Sequence, residues 1–443
     1  MSAKVELQGL LALINSSANE AIAEYDKAGQ EVPTLDSTLS HPLDTALDSL
    51  ALKKAIRVLE GACQQLCATL APPQHTVINF VQNYDSACVR VAIKSSITTI
   101  LEAHPNGLHV KDLSDIVHIE SGKLSRVLRS LATKGCYREV TQGIFANNRL
   151  SLVLRPSIEA CVQTYLHTEI VMSGASVLYE NLTNQDTAFS YEPSKAPIME
   201  VLKKEGITGT FFDWMTSNPN TQEEYHRGMI GVGSIMGSLS VLEHFPWKEV
   251  STVCDLGSGI GPFSLPLAKM YPNLHITCHD LPEVLAQAQV VWAQKAPEAV
   301  SGQNVEFVPL NFLQKVPVQG QDVYYLRHII HDWPDAEATV ILRNVRQAMA
   351  PHSRLLIQDY VMLSASREDD NVRHNATVAP KPLLPNYGAG NMRLYQSDLS
   401  MLIIHNARER TLDEVIKLGD DVGLQLAKVW DLGESCAIEF KLA

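Results

Sequence analysis

From residue 251 onward the chain alternates between two periodicities, and this alternation limits the possible folds more than any other feature. The strand-like runs STVCDL, HITCHDL, VEFVPLNF, DVYYLRHI and RLLIQDYVM are separated by runs with apolar residues at helical spacing. Strands alternating with helices give a mostly parallel sheet with helices on both faces. Two last strand-like runs, LQLAKVW and CAIEFKL, are separated only by DLGES, which predicts an antiparallel hairpin at the end of the sheet.

The preceding half reads as mostly helical. A helix, a loop and a second helix fill residues 1–71, and a further helix is predicted over 77–103 after the Pro72-Pro73 hinge. Residues 107–150 pattern as a short helix near 110–117, a longer helix near 121–134 and a small hairpin turning at Gln142-Gly143. That is the outline of a winged helix-turn-helix, and it opens two readings. Arg126 and Arg129 could present a DNA-recognition helix, or the module could serve dimer packing. Residues 156–247 read as helices again, with loops near 189–198 and 216–222. Residues 364–397 are long, polar and rich in Pro and Gly, which predicts a surface insertion or lid.

Composition narrows the function classes. The chain of 443 residues has 36 Lys and Arg against 49 Asp and Glu, a net charge of -13. A general binder of nucleic acid or anionic membrane needs a basic surface, so packing is favoured over DNA binding for the winged module. No apolar run approaches the roughly 18 residues of a membrane span. The amino terminus lacks a basic segment ahead of an apolar one, so a secretory signal is not expected. The eight scattered cysteines match no zinc spacing, and the expectation is a cytoplasmic protein with reduced thiols.

The run VCDLGSGIGPF places glycines at 257, 259 and 261 between a strand and a helix. This is neither the G-x-G-x-x-G dinucleotide turn nor a P-loop. Glycines there let the backbone turn tightly and approach a ligand without an intervening Cβ. Asp255 can order the loop or face a cationic group. Asp280 ends the next strand, where its carboxylate can take both hydroxyls of a ribose. The combination favours S-adenosylmethionine.

The run LRHIIHDWPD then puts His331 at the carboxyl end of the fourth strand, with Pro334 and Asp335 opening a helix. Open α/β sheets bind ligands in that crevice. A histidine there, with a pKa near neutrality, is a candidate general base. No Asp/His cluster with metal-ligand spacing is evident nearby, so no metal is expected.

DLGSGIGP, HDLPEV and LRHIIHDWPD together resemble the plant caffeic-acid-type and fungal secondary-metabolite O-methyltransferases, and the resemblance spans most of the chain. It implies a class I methyltransferase, Rossmann-like seven-stranded sheet with an amino-terminal helical, winged-helix-like dimerisation domain. The implied division is 1–155 for dimerisation, 156–245 for the substrate-lining helices and 246–443 for the catalytic domain. It implies S-adenosyl-L-methionine as cofactor, a homodimer, and a phenolic or polyketide-type substrate. Asp255, Gly257, Ser258, Gly259, Asp280, Leu281, Asn311, Phe312 and Arg327 would then bind the cofactor. Asn311 departs from the family's usual Asp. His331 would be the base, with Asp359 (Glu in the plant pattern) and Glu409 as its orienting acids. Two rival readings go with this one. Some fungal relatives hold the cofactor and catalyse pericyclic cyclisation without methyl transfer, and the winged module could make the chain a DNA-binding regulator.

Overall fold

The computed structural model describes residues 2–44, 46–47, 49–367 and 378–443. In the amino-terminal half, β1 (Leu108–His109), β2 (Arg138–Thr141) and β3 (Ile144–Ala146) form a small antiparallel sheet in the order β1-β3-β2. It packs with the helices Val110–Val117 and Ser121–Thr133 around Leu113, Leu124, Leu128, Leu131 and Phe145. These helices and the hairpin have the order and positions that the pattern of residues 107–150 predicts. Arg129 is not free to read a base, because its guanidinium donates two hydrogen bonds to Glu139 across the module, at 3.0 and 2.8 Å.

The carboxyl-terminal half builds the main sheet from β4 (Thr252–Leu256), β5 (His275–Asp280), β6 (Val305–Pro309), β7 (Val323–Arg327) and β8 (Arg354–Asp359). A short parallel pair, β9 (Val361–Met362) and β10 (Arg410–Thr411), lies beside it. The hairpin β11 (Leu424–Asp431) and β12 (Cys436–Leu442) completes seven strands in the order β11-β12-β8-β7-β4-β5-β6. The first five are mutually parallel, and β12 runs antiparallel to both β8 and β11.

The central strands are apolar in continuous runs because helices cover both faces. Val253, Tyr325 and Leu356 face one core, while Cys254, Tyr324, Leu355 and Ile357 face the other. From β4 the chain winds outward through β5 and β6, then returns to β7 and continues the other way. The carboxyl ends of β4 and β7 therefore form the topological switch point, where such sheets hold ligands.

Three sequence expectations are corrected. The helix predicted over 77–103 is three helices, Pro73–Val81, Asp85–Lys94 and Ile97–Glu102. Asn83 accepts a bond from the Asp85 amide at 3.4 Å, and Ser96 takes a left-handed φ of 51°, so both polar positions interrupt the ladder. The fourth strand ends at Arg327, and His331 lies on a single 3-10 turn, Ile330–Asp332, beyond it. Finally, the segment read as an insertion or lid is partly a buttress. Residues 368–377 lie outside the described residues, but Ala379, Leu383 and Tyr387 are buried against Leu13 and Val58 of the first two long helices.

Those helices, Ala3–Lys27 and Leu50–Leu70, pack on the carboxyl-terminal half. Arg57 reaches the Gly433 carbonyl at 2.8 Å, and Gln65 donates to the Pro382 carbonyl at 3.1 Å. Among the described residues no helix is long and apolar enough to cross a membrane.

Candidate active site

The glycine turn after β4 is shaped by contact with the segment after β7. Gly257 has φ +70°, and a Cβ there would stand 2.3 Å from Ile329 Cδ1. Gly261 has φ +94°, and its Cβ would strike the Trp292 indole at 2.4 Å. No other residue fits either place. Asp280, at the end of β5, accepts the Gly259 amide at 2.8 Å on one oxygen and the Leu281 amide at 2.7 Å on the other. Each carboxylate oxygen retains a further acceptor site. Burial raises the Asp280 pKa against those two hydrogen bonds.

Gly257, Gly259, Asp280, Leu281, Asn311, Phe312 and Arg327 all line one cavity of about 320 Å³, within the range of small-molecule sites. Such a wall can hold an adenosyl group. Glycine backbone allows close approach, the Asp280 carboxylate can accept hydroxyl donors, and Phe312 with Trp333 offers an aromatic edge, their rings 6.0 Å apart. Two residues expected to bind cofactor stand behind this wall. Asp255 is buried and accepts a hydrogen bond from Ser264 Oγ, so it orders the loop. Burial lifts it to about 6, with Ser264 and Arg327 opposing. Ser258 is buried as well, its hydroxyl without a partner among the described residues.

The opposite wall comes from the helices Phe211–Thr216 and Pro219–Ile235, which contribute Phe212, Gln222, Tyr225, His226 and Met229. A hydrogen-bonded chain joins this roof to the sheet domain. His226 Nδ1 pairs with Gln287 Oε1 at 3.0 Å, and Gln287 Nε2 donates to Gln222 at 3.0 Å. Sequence reading singled out none of these roof residues, because a helix far away in sequence carries no local mark of facing a cavity.

The element Glu409-Arg410-Thr411 fixes the turn that carries His331. Pairing of Arg410 with Val361 brings it alongside. Glu409, buried, pairs with His331 Nδ1 at 2.8 Å and accepts Ser397 Oγ at 3.2 Å. Arg410 donates to the carbonyls of Ile330 and Trp333, both at 2.7 Å, and to Asp335 at 3.0 and 2.8 Å. Thr411 caps the next helix through a capping box with Glu414.

His331 departs from the expected near-neutral pKa. Burial alone would lower it, but the carboxylates of Glu409, then Asp332 and Asp359, outweigh burial and raise it to about 10. The surrounding carboxylates thus favour the protonated ring. Asp359 also departs from its expected place. It makes no hydrogen bond to His331, and its Oδ1 lies 3.9 Å from His328 Nδ1 instead. Burial pushes Asp359 up to about 7 against the pull of His331.

His328, which sequence reading passed over, stacks on His331 with ring centroids 5.3 Å apart and planes 26° from parallel. Donor atoms of His328, His331 and Asp359 all lie within 4.8 Å of one another, so the fold assembles an Asp/His cluster that was not expected from the sequence. The signal was in plain view as two histidines three residues apart, a spacing that a tight turn brings to one side.

A family model described as an O-methyltransferase domain matches residues 198–425. The "3-O-methyltransferase 2" of Phanerochaete chrysosporium is 38% identical over 98% of this chain and 97% of its own. Among solved structures, the mitomycin 7-O-methyltransferase MmcR has a TM-score of 0.66 at 22% identity, covering 84% of this chain and 98% of its own. A structure titled "A Pericyclic Reaction enzyme" has a TM-score of 0.68 at 20% identity, covering 90% of this chain and 97% of its own. At such identities the two structures show the shared fold. The chain belongs to the S-adenosylmethionine-dependent O-methyltransferase family.

Proposed function

We propose that this enzyme methylates a hydroxyl of a phenolic or polyketide-type small molecule, with His331 acting on the acceptor hydroxyl and Glu409 orienting it. The observation that carries this is the His331–Glu409 pair, buried beside a cavity whose opposite edge is the glycine turn and Asp280. Bound at that edge, S-adenosylmethionine supplies a methyl group already activated on a positively charged sulfur. The chain's own residues then have to bind, orient and handle a proton. Gly257, Gly259 and Leu281 shape the backbone wall, Asp280 takes the ribose, and Asn311 and Phe312 face the adenine. Phe212, Tyr225, Met229 and Trp333 supply an apolar and aromatic enclosure suited to a flat acceptor. The name of the Phanerochaete relative fits a ring-hydroxyl acceptor.

Pericyclic chemistry is the second reading, favoured by Asn311 and Asp359 standing where the family has Asp and Glu. Methyl transfer is preferred because cyclisation leaves the Glu409-held imidazole without work. Replacing His331 with Ala is expected to lower the rate roughly 10²–10⁴-fold, with S-adenosylhomocysteine binding retained. Near-wild-type turnover would remove His331 from this role.

We read the division into 1–155, 156–245 and 246–443 as functional, with the first two long helices tying its ends together. A homodimer is supported by the Pro73–Val81 helix, which buries none of its residues although Val77, Ile78, Phe80 and Val81 are apolar. A cytoplasmic location is supported by the eight free cysteines.

A further inference from the structure

The roof and the sheet domain meet through three side chains whose hydrogen bonds run in one direction. Gln287 Nε2 donates to Gln222 Oε1 at 3.0 Å, which leaves the Gln287 carbonyl oxygen facing His226 Nδ1, also at 3.0 Å. An amide oxygen only accepts, so Nδ1 carries the ring proton and Nε2 keeps a lone pair. Burial lowers the His226 pKa against the Gln287 bond, in keeping with the neutral ring that this tautomer requires.

The relay therefore has two loose ends of opposite kind. His226 Nε2 is an acceptor and Gln222 Nε2 is a donor, and neither has a partner among the described residues. Both residues line the cavity, and Gln222 is only 8% exposed. A buried amide left half-paired at a cavity wall points to a polar ligand that completes it. The two side chains are four residues apart, so they leave one face of the helix about 6 Å from each other. Their ligand has to offer a donor and an acceptor within that span.

The position of the relay selects the ligand. Gln287 lies on the helix Pro282–Lys295, which starts two residues after Asp280. Glu283 and Val284, one turn earlier on the same side of that helix, line the cavity. The relay thus stands over the Asp280 end. From there the roof helix Pro219–Ile235 runs toward the end that holds the base. A Cβ on Gly233 would come within 3.3 Å of Arg327 Nη1, four residues before His331. Along the helix axis Gln222 is about 16 Å from Gly233 and His226 about 10 Å.

We propose that Gln222 and His226 hold the adenosyl group of S-adenosylmethionine from the roof, opposite Asp280, with Gln287 positioning both. The adenosyl group matches the pair, because its hydroxyls and amine donate while its hydroxyl oxygens and ring nitrogens accept. The inference rests on the assignment of the sugar to Asp280. Tyr225 and Met229 line the cavity from the same helix, so the hold on the roof also sets the wall beside the acceptor.

Calorimetric titration with S-adenosylhomocysteine and with adenosine tests this without turnover. His226→Phe keeps a ring and removes its nitrogens, and Gln222→Met keeps the length and removes the amide. Each should weaken both ligands roughly 3- to 10-fold, the span of a net hydrogen bond. Gln287→Met should weaken them as well, and adding His226→Phe to it should cost nothing more, since one relay is broken in both. Additive losses would leave Gln287 a merely structural role and overturn the relay. Unchanged affinities would overturn the proposal, as would a raised KM for a phenolic acceptor with both affinities intact. Hydrogen exchange of the wild-type protein decides the matter where a variant does not fold. Adenosine should slow exchange at the amides of residues 222–229, and no protection there would overturn the proposal. An adenosine affinity unchanged in Asp280→Ala would instead fault the sugar assignment beneath it.

Discussion

Glu409 holds His331 Nδ1 at 2.8 Å from 78 residues further along the chain, and its side chain is fully buried in doing so. This pair makes the protein's stability depend on pH with a definite sign. The folded His331 pKa, about 10, is raised above its ordinary 6.5. A raised folded pKa stabilises fully below the unfolded value, and that contribution is lost as pH rises through the folded value. Glu409→Gln should remove it. The gap in denaturation midpoint between wild type and variant should be largest near pH 6.5 and close toward pH 10. Urea titrations across that range check this, and a gap that widened with pH would contradict it.

Gly257→Ala should disable the cofactor wall. The new Cβ meets Ile329 Cδ1 at 2.3 Å in a left-handed backbone, which costs about 1–2 kcal/mol from conformation alone. Asp280→Ala should weaken S-adenosylhomocysteine binding by an order of magnitude or more, the loss expected for hydrogen bonds to a charged group, about 1.5–3 kcal/mol. Calorimetric titration of both variants measures these effects. Unchanged affinity in Asp280→Ala would take the ribose away from that residue.

Arg410→Lys should lower kcat and leave cofactor affinity intact. The guanidinium bridges Ile330, Trp333 and Asp335 at once, and an ammonium cannot reproduce that fork. The His331 turn would loosen while the glycine wall stays. A variant with normal kcat would show that Glu409 alone holds the turn.

Phe80→Asp, on the Pro73–Val81 helix, should shift the molar mass in light scattering from dimer to monomer. A monomeric wild type, or an unaffected dimer, would remove that face from the proposed interface.

Most of the sheet was legible in the sequence because its strands are continuous apolar runs punctuated by turns, and both cores require them. The cavity-lining residues from Gly257 to Arg327 were legible for the same local reason, since they end or follow strands. Arrangements across long sequence separations were not legible. Nothing near Asp359 says that its side chain reaches His328 and not His331. Asn83 and Ser96 look like ordinary helix residues until the Asn83 side chain takes the Asp85 amide and Ser96 turns left-handed, breaking the 77–103 helix. The roof residues Gln222, Tyr225 and His226 face the cavity only because their helix docks on Gln287. His328 carries no local mark that distinguishes it from an ordinary residue following a strand.

The most direct test of the central claim is mass spectrometry of the purified enzyme with S-adenosylmethionine and a panel of phenolic acceptors, following product and S-adenosylhomocysteine together. The account predicts a product heavier by one CH₂ for each S-adenosylhomocysteine formed, and loss of both in His331→Ala. A product rearranged at unchanged mass, with the methyl donor unconsumed, would contradict it.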